Sequence, residues 1–189
     1  ARQYHEQALA LREERGDLWA ISVSETGLGM ISMLQHNPER ARRDFEEAMR
    51  LGVAVGDAWM VAISHNNLGN ADRDLGEHTA AMAHYAAAAQ RYAHSDDLWS
   101  LAFLLEDAAV CRATEKAAQG AALLLGAADR CRADLGSPRP ESLESELTTR
   151  LEPVIHLLGL RDWRVAREAG RRVAPTDATS LLEDVQSTG

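Results

Sequence analysis

The sequence predicts an all-α fold: a solenoid of antiparallel helix pairs, finished at its C-terminal end by capping helices. Three observations carry that prediction. Ala and Leu dominate a composition with 5% aromatics and almost no β-branched runs, a mixture that favours helix over sheet. Helix-junction residues recur at 40-residue steps, as Gly16-Asp17, Gly56-Asp57, Asp96-Asp97 and Gly136-Ser137. After three of those junctions comes one phrase, DLWAIS, DAWMVA and DLWSLA, which puts Trp19, Trp59 and Trp99 in register.

Taken in chain order, residues 1–16 read as one amphipathic helix, half a repeat, whose Tyr4, Ala8, Leu9 and Leu11 lack an upstream neighbour. A helix already complete at Ala1 predicts a chain cut from a longer protein, and its unpartnered apolar residues predict a homodimer or partial fraying. Full repeats follow over 17–56, 57–96 and 97–136. At each junction a helix-ending Gly or Asp precedes an Asp or Ser whose side-chain oxygen can accept from the next helix's free N–H groups. A second turn divides the repeat, at Asn37-Pro38 in one copy and Gly76-Glu77 in the next; Pro38 takes the first helical position, where its missing N–H is tolerated.

Within the first helix of each pair, Leu28-Gly29, Leu68-Gly69 and, more loosely, Ala108-Ala109 set small residues where two helices can approach closely. The second helix repeats an apolar stripe at i, i+4 and i+7: Ala41, Phe45 and Ala48, then Ala81, Tyr85 and Ala88, then Ala121, Leu125 and Ala128. From 137 to 189 the period is lost. That stretch reads as a helix over 139–159 strained by Pro153, an Arg-rich helix over 161–173, and a last helix over 175–185 capped at Thr176 or Asp177.

A Leu-Gly pair followed by Ala, an aromatic and Ala resembles the tetratricopeptide consensus over residues 1–136. The resemblance implies a right-handed superhelical array with a concave groove that binds protein or peptide. Two positions depart from it: the usual early aromatic is Glu25, His65 and Leu105, and the usual closing Pro is Val53, Ala93 and Ala133. A 40-residue period against the usual 34 or so predicts longer helices, as in the variant repeats of MalT-like regulators. The segment ALLLGAADRCRADLGSPRP and the later WRVAREAGRRVAPTDATSLL resemble the C-terminal end of LuxR-type and Streptomyces antibiotic-regulator-type transcriptional regulators, which join a DNA-binding domain to a STAND-class ATPase and then to such repeats.

On that resemblance, the groove-facing set is Trp19 and Val23 in one repeat, Trp59, Ile63, Asn66, Asn70 and Arg73 in the next, and Trp99, Phe103 and Glu106 in the third. Large amphipathic rings suit a binding hot spot, and amides with a guanidinium at i, i+4 and i+7 could grip a peptide backbone or a carboxylate. The rings equally fit as packing between neighbouring repeats, and spacing does not separate the two. An Arg stripe, Arg161, Arg164, Arg167, Arg171 and Arg172, could contact another domain, an acidic partner or phosphate, and reads first as a solvated or internally paired surface.

Other chemistries find little support. The net charge of -9 is spread as mixed-sign pairs, which argues against direct nucleic-acid contact. Lys116 is the sole lysine, and no phosphate-loop or nucleophile-elbow motif occurs. None of the seven histidines stands at ligand spacing from another or from a Cys, so no metal or other cofactor is implied. Cys111 and Cys131 suit a reducing cytosol, and no stretch reaches membrane-span length. The sequence therefore reads as a non-enzymatic, cytoplasmic interaction or effector-sensing domain. Its expected partners are a protein, a peptide, a small effector or other domains of the same polypeptide; a free-standing adaptor or self-associating scaffold is the alternative.

Overall fold

The computed structural model describes residues 2–183. Among them every regular element is a helix: α1 (Arg2–Arg15), α2 (Leu18–Leu34), α3 (Pro38–Val55), α4 (Ala58–Leu75), α5 (His78–His94), α6 (Leu98–Thr114), α7 (Ala118–Asp134), α8 (Glu141–Leu158), α9 (Leu160–Arg171), a 3-10 turn (Pro175–Asp177) and α10 (Ser180–Glu183). The fold is an all-α helical repeat. The chain divides into two compact units, Ala1–Arg91 and Tyr92–Gly189, with the division inside the last turn of α5.

The turns explain the regularity. Backbone φ is positive at Gly16, His36, Gly56, Gly76, Asp96, Lys116 and Gly136, so a left-handed residue ends a helix every twenty residues. Asp17, Asn37, Asp57 and Asp97 follow four of these, and each side chain accepts a hydrogen bond from the N–H three residues on, at 2.9 to 3.0 Å. Ser137 does not act this way. Pro138 and Pro140 hold that stretch extended, and α8 starts only at Glu141 with no side-chain cap.

In the first unit α2 packs on α1 and α3, and α3 packs on α4. Its core includes Ala41, Phe45, Leu68 and Ala71, with Met33 and Met49 against them. The small residues do what the sequence suggests: a Cβ on Gly69 would lie 2.5 Å from Tyr85 Cε1, and one on Gly29 would lie 2.6 Å from Phe45 Cδ1. The aromatic of the second helix thus fills the space that the glycine of the first leaves.

In the second unit α6 packs on α7 through Leu101, Leu104, Leu105, Ala108, Leu124, Ala128 and both cysteines, all buried. Cys111 and Cys131 form no disulfide with each other. Where the repeat ends, α9 rather than α8 becomes the main neighbour of α7. The stretch expected as one helix over 175–185 is instead the 3-10 turn and the single-turn α10; residues 184–189 lie outside the described residues. No described helix is long and apolar enough to cross a membrane.

Candidate functional site

The N-capping aspartates place each tryptophan two residues into its helix, in the first turn of α2, α4 and α6. There Trp19 is 52% exposed, Trp59 55% and Trp99 52%. Val23, Ile63 and Phe103, one turn on, are half-buried. Trp19 is also tied down at its polar edge: its indole N–H donates to Asp57 Oδ2 at 3.0 Å, while Asp57 Oδ1 caps α4. One ring therefore both reaches across to the next helix pair and shows half its surface.

The polar set on α4 is more closed than its spacing suggests. Asn70 Oδ1 accepts from Arg73 Nη1 at 2.9 Å and from the Tyr85 hydroxyl at 2.8 Å, and Arg73 Nε donates to Asp74 at 3.0 Å. Arg73 is buried by these contacts. Asn66 Oδ1 is buried and has no hydrogen-bond partner among the described residues.

In the second unit Trp99 tilts against Phe103, ring centroids 5.2 Å apart, and the Arg132 guanidinium lies 4.6 Å from the Phe103 centroid and 5.9 Å from that of Trp99. Glu106 is not an open groove carboxylate: it is 3% exposed and held by Arg132 Nε at 2.5 Å and Nη2 at 2.9 Å, and by Arg139 Nε at 2.6 Å. A carboxylate this deep needs its paired guanidiniums, since an uncompensated buried charge is strongly unfavourable.

Two clusters escaped the sequence reading. His65 and His84 meet Nδ1 to Nδ1 at 2.9 Å, one nitrogen donating to the other, and His84 Nε2 lies 3.6 Å from Asp72. Burial, with the His84 and Arg91 charges, pushes His65 down to about 4; burial also lowers His84 against the pull of Asp72. These histidines are 19 residues apart on paired helices, so no ligand-type spacing announces them. Among the described residues no group of three or more His, Cys, Asp or Glu could hold a metal ion.

The second cluster gathers Arg139, Arg167 and Arg171 on Asp129. Its partners stand 10, 38 and 42 residues away in sequence. Two members of the Arg stripe, Arg167 and Arg171, are thus internally paired, one of the roles the sequence allowed them.

Residues 61–94, running from the first turn of α4 to the end of α5, match the family model described as tetratricopeptide repeat. The α4–α5 helix pair is thus tetratricopeptide-like, within a chain whose described elements form an all-helical repeat. No curated protein and no solved structure matches the chain. Such repeats generally mediate protein–protein interaction; the match takes in the Gly69–Tyr85 contact and the histidine pair and begins two residues after Trp59.

Proposed function

We propose that this tetratricopeptide-like domain is a non-catalytic interaction or effector-sensing module of a bacterial transcriptional regulator. Trp19, Trp59 and Trp99 take part of a peptide, protein or small effector, or of a neighbouring ATPase domain in the same polypeptide. The supporting observation is the repeated half-exposure of a tryptophan at one helix position. Indole is the side chain most enriched at binding hot spots, combining a large apolar face with one polar donor. The ligand would act by favouring one arrangement of the repeats over another.

The test uses the full-length protein with Trp19→Ala, Trp59→Ala and Trp99→Ala, singly and combined. Helical content by circular dichroism should be retained while the response to signal is lost. An unchanged response from the folded triple variant overturns the proposal.

A self-associating scaffold or free-standing adaptor is the second reading, and one observation favours it. No described residue of α1 is buried, and Tyr4 is 78% and Leu11 58% exposed.

A further inference from the structure

In the second unit a cleft of about 660 Å³ opens between the C-terminal end of α7, the 136–139 connection, the start of α8 and α9. Its charged lining is Asp129, Arg132, Arg139, Glu144, Arg167 and Arg171. Four guanidiniums line this cleft in a chain whose net charge is -9. The volume is that of a small-molecule site.

The arginines are unequally satisfied. Asp129, 8% exposed, holds Arg167 at 2.7 and 3.0 Å, Arg171 at 2.9 and 3.0 Å, and Arg139 as well. Its carboxyl lies below the usual range: burial would raise it, and the Arg167 and Arg139 contacts outweigh that. Behind the cleft Glu106 takes Arg132 and a second edge of Arg139. Two buried carboxylates thus face four guanidiniums, and the two remaining positive charges are met only by the exposed Glu144 and Glu168. At the rim Glu168 meets Arg171 at 3.3 Å, and both are about half-exposed.

Glu144 is the telling residue. It is 46% exposed and lies 3.4 Å from Arg139 Nη1 and 3.7 Å from Arg167 Nη2, a loose contact beside the tight ones on Asp129. Arg139 itself is 6% exposed, and its Nη2 has no hydrogen-bond partner among the described residues. A buried, unsatisfied guanidinium nitrogen is costly, so a ligand supplying an acceptor there is favoured. The exposed, loosely held Glu144 has the geometry of an internal stand-in, an anion tethered by its helix where a better-fitting anion could sit.

We propose that this cleft binds an oxyanion, a phosphate or carboxylate group of a small ligand, which displaces Glu144 and takes its place on Arg139 and Arg167, with Arg171 at the mouth. Planar guanidinium forks match either group through paired hydrogen bonds. The site is separate from the tryptophan reading except that Arg132 touches both, so each can fail alone.

The experiment titrates the full chain with inorganic phosphate and, in a second arm, with citrate, by calorimetry at ionic strength held constant with sodium chloride. Binding of phosphate alone assigns a phosphate-bearing ligand; binding of citrate assigns a carboxylate-bearing one. Arg171→Gln, half-exposed and safe for folding, should weaken the bound anion about 10-fold, the loss of one charge-assisted hydrogen bond. Glu144→Gln should tighten it several-fold, an effect opposite to that of simply damaging the cleft. The proposal is overturned if neither anion gives a heat beyond the chloride control, or if Glu144→Gln leaves affinity unchanged or lower.

Discussion

At position 25 a carboxylate stands where the next two repeats carry His65 and Leu105, on the face of the first helix that meets the second. Partial burial, followed by the charges of Asp44, Glu47 and Glu13, pushes Glu25 up to about 7. Its folded value is above the unfolded 4.5, so the stability it leaves intact at low pH is lost as pH rises from about 4.5 through about 7. His65 works in the opposite sense. Folded near 4 and unfolded near 6.5, it weakens the first unit as pH falls across that interval. Glu25→Gln should therefore raise the melting temperature, by an amount that grows from pH 5 to pH 8; an equal gap at both pH values would contradict the assignment. Sequence marked these positions as departures from the repeat pattern. It could not show the cost of burying them, because Asp44, Glu47 and His84 come from the partner helix.

Helix by helix, the alternation of capped starts and left-handed ends was legible where Gly, Asn or Asp marks the junction, and it was silent at the α6–α7 turn, where a left-handed Lys116 precedes an uncapped Ala117. After Gly136 the legibility ends, and α9 shows why. It reaches α7 through Gly170 and Gly126: a Cβ on Gly170 would strike the Leu123 carbonyl and lie 3.0 Å from Gly126 Cα. That contact has no forerunner 40 residues earlier, and the stripe that carries it, Trp163, Ala166 and Gly170, does not follow the repeat pattern. Gly170→Ala should cost about 1–3 kcal/mol in chemical denaturation, as overpacking of a tight contact does. Gly120→Ala, on the same α7 but with nothing nearer than Arg112 carbons at 3.9 Å, should be neutral or stabilising by about 0.5–1 kcal/mol. Equal effects would mean that the crossing is looser than described.

For the molecule as a whole, the second reading, self-association through the exposed Tyr4 and Leu11 of α1, carries its own prediction. Light scattering should show a dimer that Tyr4→Ser with Leu11→Ser converts to monomer; a wild-type monomer whose α1 amides are protected from exchange would count against it. The candidate site was only partly legible. The tryptophans could be placed by periodicity, whereas the closing of Asn70, Arg73 and Glu106 depends on Tyr85, Arg132 and Arg139, which spacing along one helix does not reveal. The left-handed residues at 16, 36, 56, 76, 96, 116 and 136 carry one more implication. They give the chain a reading frame in space. Excising 17–56 would join Gly16 to Asp57 and restore a Gly-Asp junction with its tryptophan two residues on. Excising half as much would reverse every later helix and put alanine stripes where indoles had been. Lineages of such proteins can therefore gain or lose sequence cheaply only in whole frames, and a duplication that misses the frame scrambles everything downstream of it.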